Sequence, residues 1–280
     1  MPLPAETHIG SVHLTVRDLD QQRSFYERAL GLELLQSEGQ TVRLGPPGGP
    51  VILELTGDPD ATRRPHGTTG LFHFAVLVAT RADLGQALRR VVEAGWRFTG
   101  ASDHLVSEAL YLSDPDGLGI EVYCDRPRSE WNVADRQLKM ATNPLDARAV
   151  IEAGNGERWT GMPAGTKVGH VHLYVGDIDD AEAFYHRGLG LDKMVWSYPG
   201  ALFLSAGGYH HHLGTNTWAA GAPPATEDDA RLLEWTIVVP SADDAAAAAE
   251  NIRAQGYDVI DSDGTWTATD PWGTTLRLTP

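Results

Sequence analysis

Apolar and polar residues alternate along 12-VHLTV-16, as they do on a strand with one buried face. The period then changes: Phe25, Ala29 and Leu30 fall on one side of a helix. Asp18 or Asp20 is placed to cap its first turn, where free backbone N–H groups need an acceptor. Gly31 is placed to end it in a left-handed conformation. The same switch from strand to helix recurs in 73-HFAVLVATRADLGQALRRVVEAGW-96 and in 235-WTIVVPSADDAAAAAENIRAQGY-257. The run 245-AAAAA-249 is a strong helix former and carries no chemistry. Asp114-Pro115-Asp116-Gly117 predicts a tight turn, because proline fixes one dihedral and glycine permits positive φ.

These patterns are copies of one another. Val, Asp, Asp, Phe-Tyr, Arg and Leu-Gly-Leu in 16-VRDLDQQRSFYERALGLEL-34 return in 175-VGDIDDAEAFYHRGLGLDK-193 at an offset of 159. Agreement at so many fixed positions marks an internal repeat. Each copy divides again, giving four units that run strand, helix, then further strands. The predicted class is α+β, with four βαβββ modules. Two form an N-terminal half at 8–127 and two a C-terminal half at 167–280. The connecting residues 128–166 lack strand alternation and read as a linker with a short helix at 145-LDARAVIEA-153.

Composition narrows the partners. The net charge of −16, with no basic stripe, excludes a nucleic-acid binder. One cysteine, Cys124, excludes a disulfide within the chain and fits a reducing compartment. The stretch 1-MPLPAETHIG-10 has no apolar core, and no run of 18 apolar residues occurs. A cytoplasmic protein without a membrane partner is expected; a homo-oligomer is allowed.

Four βαβββ units resemble the vicinal oxygen chelate superfamily, which includes glyoxalases, bleomycin resistance proteins and extradiol dioxygenases. The resemblance implies two half-open barrels with a metal inside one. Within it, 104-HLVSEALYLSDPDGLGIEVYCDRPRSEW-131 is similar to the active-site strand pair of type I extradiol catechol 2,3-dioxygenases. The segment 203-FLSAGGYHHHLG-214 is similar to the segment that carries their acid–base histidine.

That family places two histidines and one carboxylate on one face of a metal, leaving the other face for substrate and O₂. At the first-strand ligand position the four units are read as Ser11, His73, His170 and Trp235. In the last strand the second unit has Glu121 and the fourth has Arg277. A strand histidine alone is more often packing than ligand. Three suitable groups at equivalent positions favour ligation by His73, His170 and Glu121. The second and third units would then pair into the active barrel, with the first and fourth inert. The alternative keeps first with second and recruits His8 or His13. His13 and His172 repeat at the same offset and read as packing, and Glu54 as structural.

In 209-YHHHL-213 the resemblance gives the acid–base and substrate-contact role to His211, and a strand would aim His210 and His212 at the opposite face, toward solvent or a subunit contact. It gives Tyr111 a hydrogen bond to substrate and His104 a positioning role near O₂. The implied reaction is opening of a catechol by O₂ at Fe(II), with Mn(II) as possible replacement, to a 2-hydroxymuconic semialdehyde. Two other classes compete: a non-oxidative metal enzyme (isomerase, lyase or thiol transferase) and a metal-free ligand-sequestering protein.

Overall fold

The computed structural model describes residues 1–156 and 158–280. Its first unit is β1 (His8–Val16), α1 (Leu19–Phe25), β2 (Glu33–Glu38), β3 (Thr41–Gly45) and β4 (Leu53–Gly57). The second is β5 (Gly70–Val78), α2 (Arg81–Glu93), β6 (Gly100–Asp103), β7 (Ser107–Ser113) and β8 (Gly119–Asp125). The connecting segment holds a small ladder of β9 (Val133–Ala134) and β10 (Gln137–Leu138), then β11 (Asn143–Pro144) and α3 (Ala147–Ala153). The third unit is β12 (Lys167–Tyr174), α4 (Ile178–Ala181), β13 (Asp192–Val195), β14 (Ala201–Ser205) and β15 (Leu213–Asn216). The fourth is β16 (Arg231–Val238), α5 (Ala242–Ala254), β17 (Val259–Ser262), β18 (Thr265–Thr269) and β19 (Thr275–Thr279).

Local chemistry sets these boundaries. Asp18 accepts the N–H of Gln21 at 2.9 Å and starts α1. α1 continues as a π-helical turn over Tyr26–Leu30 and stops at Gly31, whose φ is 76°. α4 continues likewise over Glu182–Gly188. The tyrosine of each Phe-Tyr pair then reaches a buried aspartate in the next unit. Tyr26 donates to Asp114 at 3.3 Å, and Tyr185 donates to Asp270 at 2.7 Å. Such a hydrogen bond contributes about 0.5–1.5 kcal/mol net. The repeated tyrosine therefore ties the helix of one unit to the final hairpin of its neighbour.

The sheets join the units in a different order. One runs β11-β6-β7-β8-β5-β12-β15-β14-β13, so the second and third units share it through antiparallel β5 and β12. The other runs β17-β18-β19-β16-β1-β4-β3-β2, so the fourth and first units share it. Helix-to-turn bonds thus link first to second and third to fourth, while strands link second to third and fourth to first. The fold is α+β, with two curled half-barrels. A core continuous through Leu14, Leu53, Phe74, Val122, Leu173 and Trp235, each at most 1% exposed, lies between sheets and helices.

Candidate active site

Ala75 marks the centre of the nine-stranded sheet. β8 runs parallel to β5 with Glu121 opposite Ala75, and β12 runs antiparallel on the other side with His170 opposite Ala75. His73 lies two residues along β5 and so on the same face. The small Ala75 leaves the space between these side chains open. β12 is bulged between Val168 and His170. A Cβ on the intervening Gly169 would lie 1.8 Å from the Tyr123 hydroxyl, so glycine is required there. Such a bulge re-aims the adjoining side chain, here His170.

The result is a compact donor set. Nε2 of His73 is 2.9 Å and Nε2 of His170 is 3.1 Å from the same Glu121 Oε2. One ligand atom from each of the three residues lies within 4.8 Å of the others. All three residues are buried. Burial would push the Glu121 carboxyl up, but the charge and hydrogen bonds of His170, then those of His73, outweigh it and hold it well below the usual range. Burial pushes His170 down to about 4, against the pull of Glu121. At neutral pH Glu121 is therefore ionised and His170 neutral, the forms that bind a cation. Two imidazole nitrogens and one carboxylate oxygen suit a divalent transition metal.

His73 and Glu121 form part of the floor of a cavity of about 360 Å³. Trp218, which is 53% exposed, Tyr198 and Phe72 also line it. Among the described lining residues there is no lysine or arginine. Tyr111 and His104 stand on one wall as a pair 2.6 Å apart. His104 Nδ1 lies 2.7 Å from the carbonyl oxygen of Ala141, so Nδ1 donates there and Nε2 accepts from the Tyr111 hydroxyl. Burial, reinforced by the Glu121 charge, raises the Tyr111 phenol well above its ordinary value. His211 also lines the cavity, its ring 4.0 Å from that of His170. Burial, then neighbouring imidazoles, lowers it well below its ordinary value and keeps it neutral.

Around the histidine run the structure corrects the sequence. Residues 209–212 are irregular backbone, and β15 begins only at Leu213. His210, His211 and His212 are 0%, 5% and 7% exposed, so none faces solvent. His210 bonds Asp125 and His211, while His212 Nδ1 accepts the N–H of Ala206 at 3.2 Å. Two positive-φ glycines just before the run, Gly207 and Gly208, turn the chain inward and break the strand alternation. His172, read as packing, lines the cavity, its ring 5.0 Å from that of His73 and its Nε2 accepting from Asn216 at 3.0 Å. Gly214 leaves room for that ring: a Cβ there would lie 2.9 Å from it.

A profile of the Glyoxalase/Bleomycin resistance protein/Dioxygenase superfamily matches residues 8–122 and 167–278. The chain belongs to that superfamily. It is 42% identical over 272 residues to a Bacillus subtilis (strain 168) protein named catechol-2,3-dioxygenase, covering 95% of this chain and 94% of the relative. Glyoxalase I from Zea mays shares the fold at a TM-score of 0.57 and 17% identity, over 98% of this chain and 92% of its own. The cppA protein of Streptococcus pneumoniae TIGR4 shares it at 0.55 and 12%, over 97% and 98%.

Within this superfamily member the second barrel shows what replaces the donor set. Strand register corrects one position. Trp235 pairs Val12 as Phe74 pairs Val171, and Glu234 pairs His13 as His73 pairs His172. The counterpart of His73 is therefore Glu234, not Trp235. The spacing agrees: Glu234 lies five residues before Val239, as Ser11, His73 and His170 lie five before Val16, Val78 and Val175. Glu234 accepts from Arg277, the counterpart of Glu121, at 2.6 Å. Glu54 accepts from Arg43 at 2.8 Å, and His13 pairs with Thr56 at 2.8 Å. Arginine charges occupy the carboxylates that a metal would need.

Proposed function

We propose that the chain is an extradiol dioxygenase that opens a catechol with O₂ at a mononuclear Fe(II) held by His73, His170 and Glu121. The product is a 2-hydroxymuconic semialdehyde, formed by adding both oxygen atoms across a ring C–C bond next to the diol. One observation carries this reading: a cluster of three metal donors, two of which line a largely apolar cavity, sits beside a neutral histidine that lines the same cavity. The 42% identical relative bears the name of that activity. Non-oxidative metal enzymes of this fold commonly use a fourth ligand, whereas the cluster has three among the described residues.

Bound Fe(II) supplies sites for the two catechol oxygens and O₂ and the electronic path between them; Mn(II) would suit the same donors. His211 takes the proton that catechol loses on chelation and returns one when the ring opens. Tyr111 offers its oxygen to the substrate hydroxyl, and His104 holds that phenol in place through its Nε2. Phe72, Tyr198 and Trp218 exclude water and pack against the ring. Without a cationic side chain in the lining, the cavity favours uncharged catechols over carboxylated ones, whose charge would be desolvated without a partner. The protein is taken to work in the cytosol; among the described residues no helix is long and apolar enough to cross a membrane.

The test is oxygen uptake by protein prepared anaerobically with Fe(II). One O₂ consumed per catechol, with a semialdehyde as product, is expected. Consumption of catechol without O₂ would assign the chain to a non-oxidative reaction.

A further inference from the structure

β8 carries more than Glu121 to the site. Tyr123 and Asp125 follow at spacings of two and four residues, on the same face of the strand. Asp125 Oδ1 lies 2.9 Å from His210 Nε2, and His210 Nδ1 lies 2.7 Å from His211 Nδ1. The Tyr209 hydroxyl donates to the same Asp125 oxygen at 3.2 Å, and Tyr123 and Tyr209 share a hydrogen bond of 2.6 Å. The ring of His210 is caged by Tyr209 at 4.1 Å, Trp131 at 5.4 Å and Tyr123 at 5.9 Å, and it is fully buried. It cannot turn over to offer its nitrogens the other way round without breaking both of its bonds.

One placement of protons satisfies this chain with both rings neutral. The carboxylate of Asp125 only accepts, so His210 Nε2 carries a hydrogen and His210 Nδ1 is bare. A bare His210 Nδ1 must accept, so His211 Nδ1 carries its hydrogen. His211 Nε2 is then left bare, on a ring that lines the cavity. The opposite placement needs an extra proton on a ring that water does not reach. We propose that Asp125 and His210 are positioning residues that fix His211 in the tautomer with a bare Nε2. The partner of one ring nitrogen decides which form the other takes. This rests on the dioxygenase reading only for what His211 does with that lone pair.

Nitrogen NMR of ¹⁵N-histidine-labelled protein tests it, with diamagnetic Zn(II) in place of iron and His211→Asn to assign the signal. His211 should show a protonated Nδ1 and a bare Nε2. A hydrogen on Nε2 would overturn the proposal, whatever the enzyme's activity. Asp125→Leu removes the acceptor and should convert His211 to a mixture of tautomers. Catechol turnover should fall about 10- to 100-fold, the usual cost of losing such an orienting partner, with metal content unchanged. Turnover of 4-nitrocatechol, which ionises without help, should fall less, and Asp125→Glu should restore most of the loss. An unaltered tautomer and unaltered turnover in Asp125→Leu would also overturn the proposal. If that variant fails to fold, the spectrum of the unmutated protein still decides. Absence of oxygen uptake in the unmutated protein would instead refute the dioxygenase reading, leaving the tautomer result untouched.

Discussion

Replacing Asp114 by Asn should make the protein more stable, by an amount that is near zero at about pH 4 and grows until about pH 7. Asp114 is fully buried at the turn that receives Tyr26. Burial pushes its carboxyl up to about 7, with the nearby Asp116 charge adding to it. The N–H groups of Leu118 and Asp116 and the Tyr26 hydroxyl pull the other way. An unfolded aspartate titrates at about 3.9. The folded protein therefore holds this proton more tightly than the unfolded chain. The group's contribution to stability is complete below about pH 4 and is lost as pH rises through about 7. At about 1.36 kcal/mol per unit, the loss between pH 5 and 8 is roughly 3 kcal/mol. Asparagine preserves the local bonds, because both backbone N–H groups bond Oδ1, while the amide nitrogen can donate to the Tyr26 oxygen. Chemical denaturation of both proteins at fixed metal loading, from pH 5 to 8.5, measures the difference. The two stability curves should diverge with increasing pH. Parallel curves would refute the reasoning and show that the three donors keep Asp114 ionised.

Three further outcomes are expected. His73→Ala and His170→Ala should each lose bound metal by elemental analysis, since either leaves two donors. Residues 1–127 or 165–280 expressed alone should not bind iron tightly, because His73 and Glu121 lie on one side of the connection and His170 on the other; a fully metallated N-terminal half would contradict this. His211→Asn should keep its metal and lose about 10²- to 10⁴-fold in catechol turnover, the usual contribution of general acid–base help; loss of metal would place His211 among the ligands.

How far the sequence could be read follows from what each signal depends on. The units were legible because their signals are local: Asp18 capping, Gly31 stopping, Gly117 turning with a φ of 88°. The candidate donors stand out because His73 and His170 each lie five residues before a strand valine, Val78 and Val175, and the absence of such a histidine in the first and fourth units pointed to the sheet shared by the second and third. The histidine run was misread because alternation assumes a strand, and Gly207 and Gly208 had already bent the chain. Trp235 is one residue out of phase: the five-residue spacing before the strand valine that marks His73 and His170 marks Glu234 before Val239, and the pairing across the sheet agrees. Asp125 was overlooked, although its spacing of four from Glu121 puts both on one face of β8. His172 was undervalued because its role depends on the space left by Gly214, 42 residues away.

The most direct test compares Glu121 on β8 with Glu54 on β4, the last strands of the second and first units, which lie in different barrels. Metal content and oxygen uptake with catechol are measured for Glu121→Ala and Glu54→Ala, each prepared anaerobically with Fe(II). One metal per chain is expected in the unmutated protein and in Glu54→Ala, with uptake retained, because Glu54 is held by Arg43. Glu121→Ala should lose both metal and uptake. Loss of metal in Glu54→Ala, or full metal and uptake in Glu121→Ala, would contradict a single centre built on β5, β8 and β12.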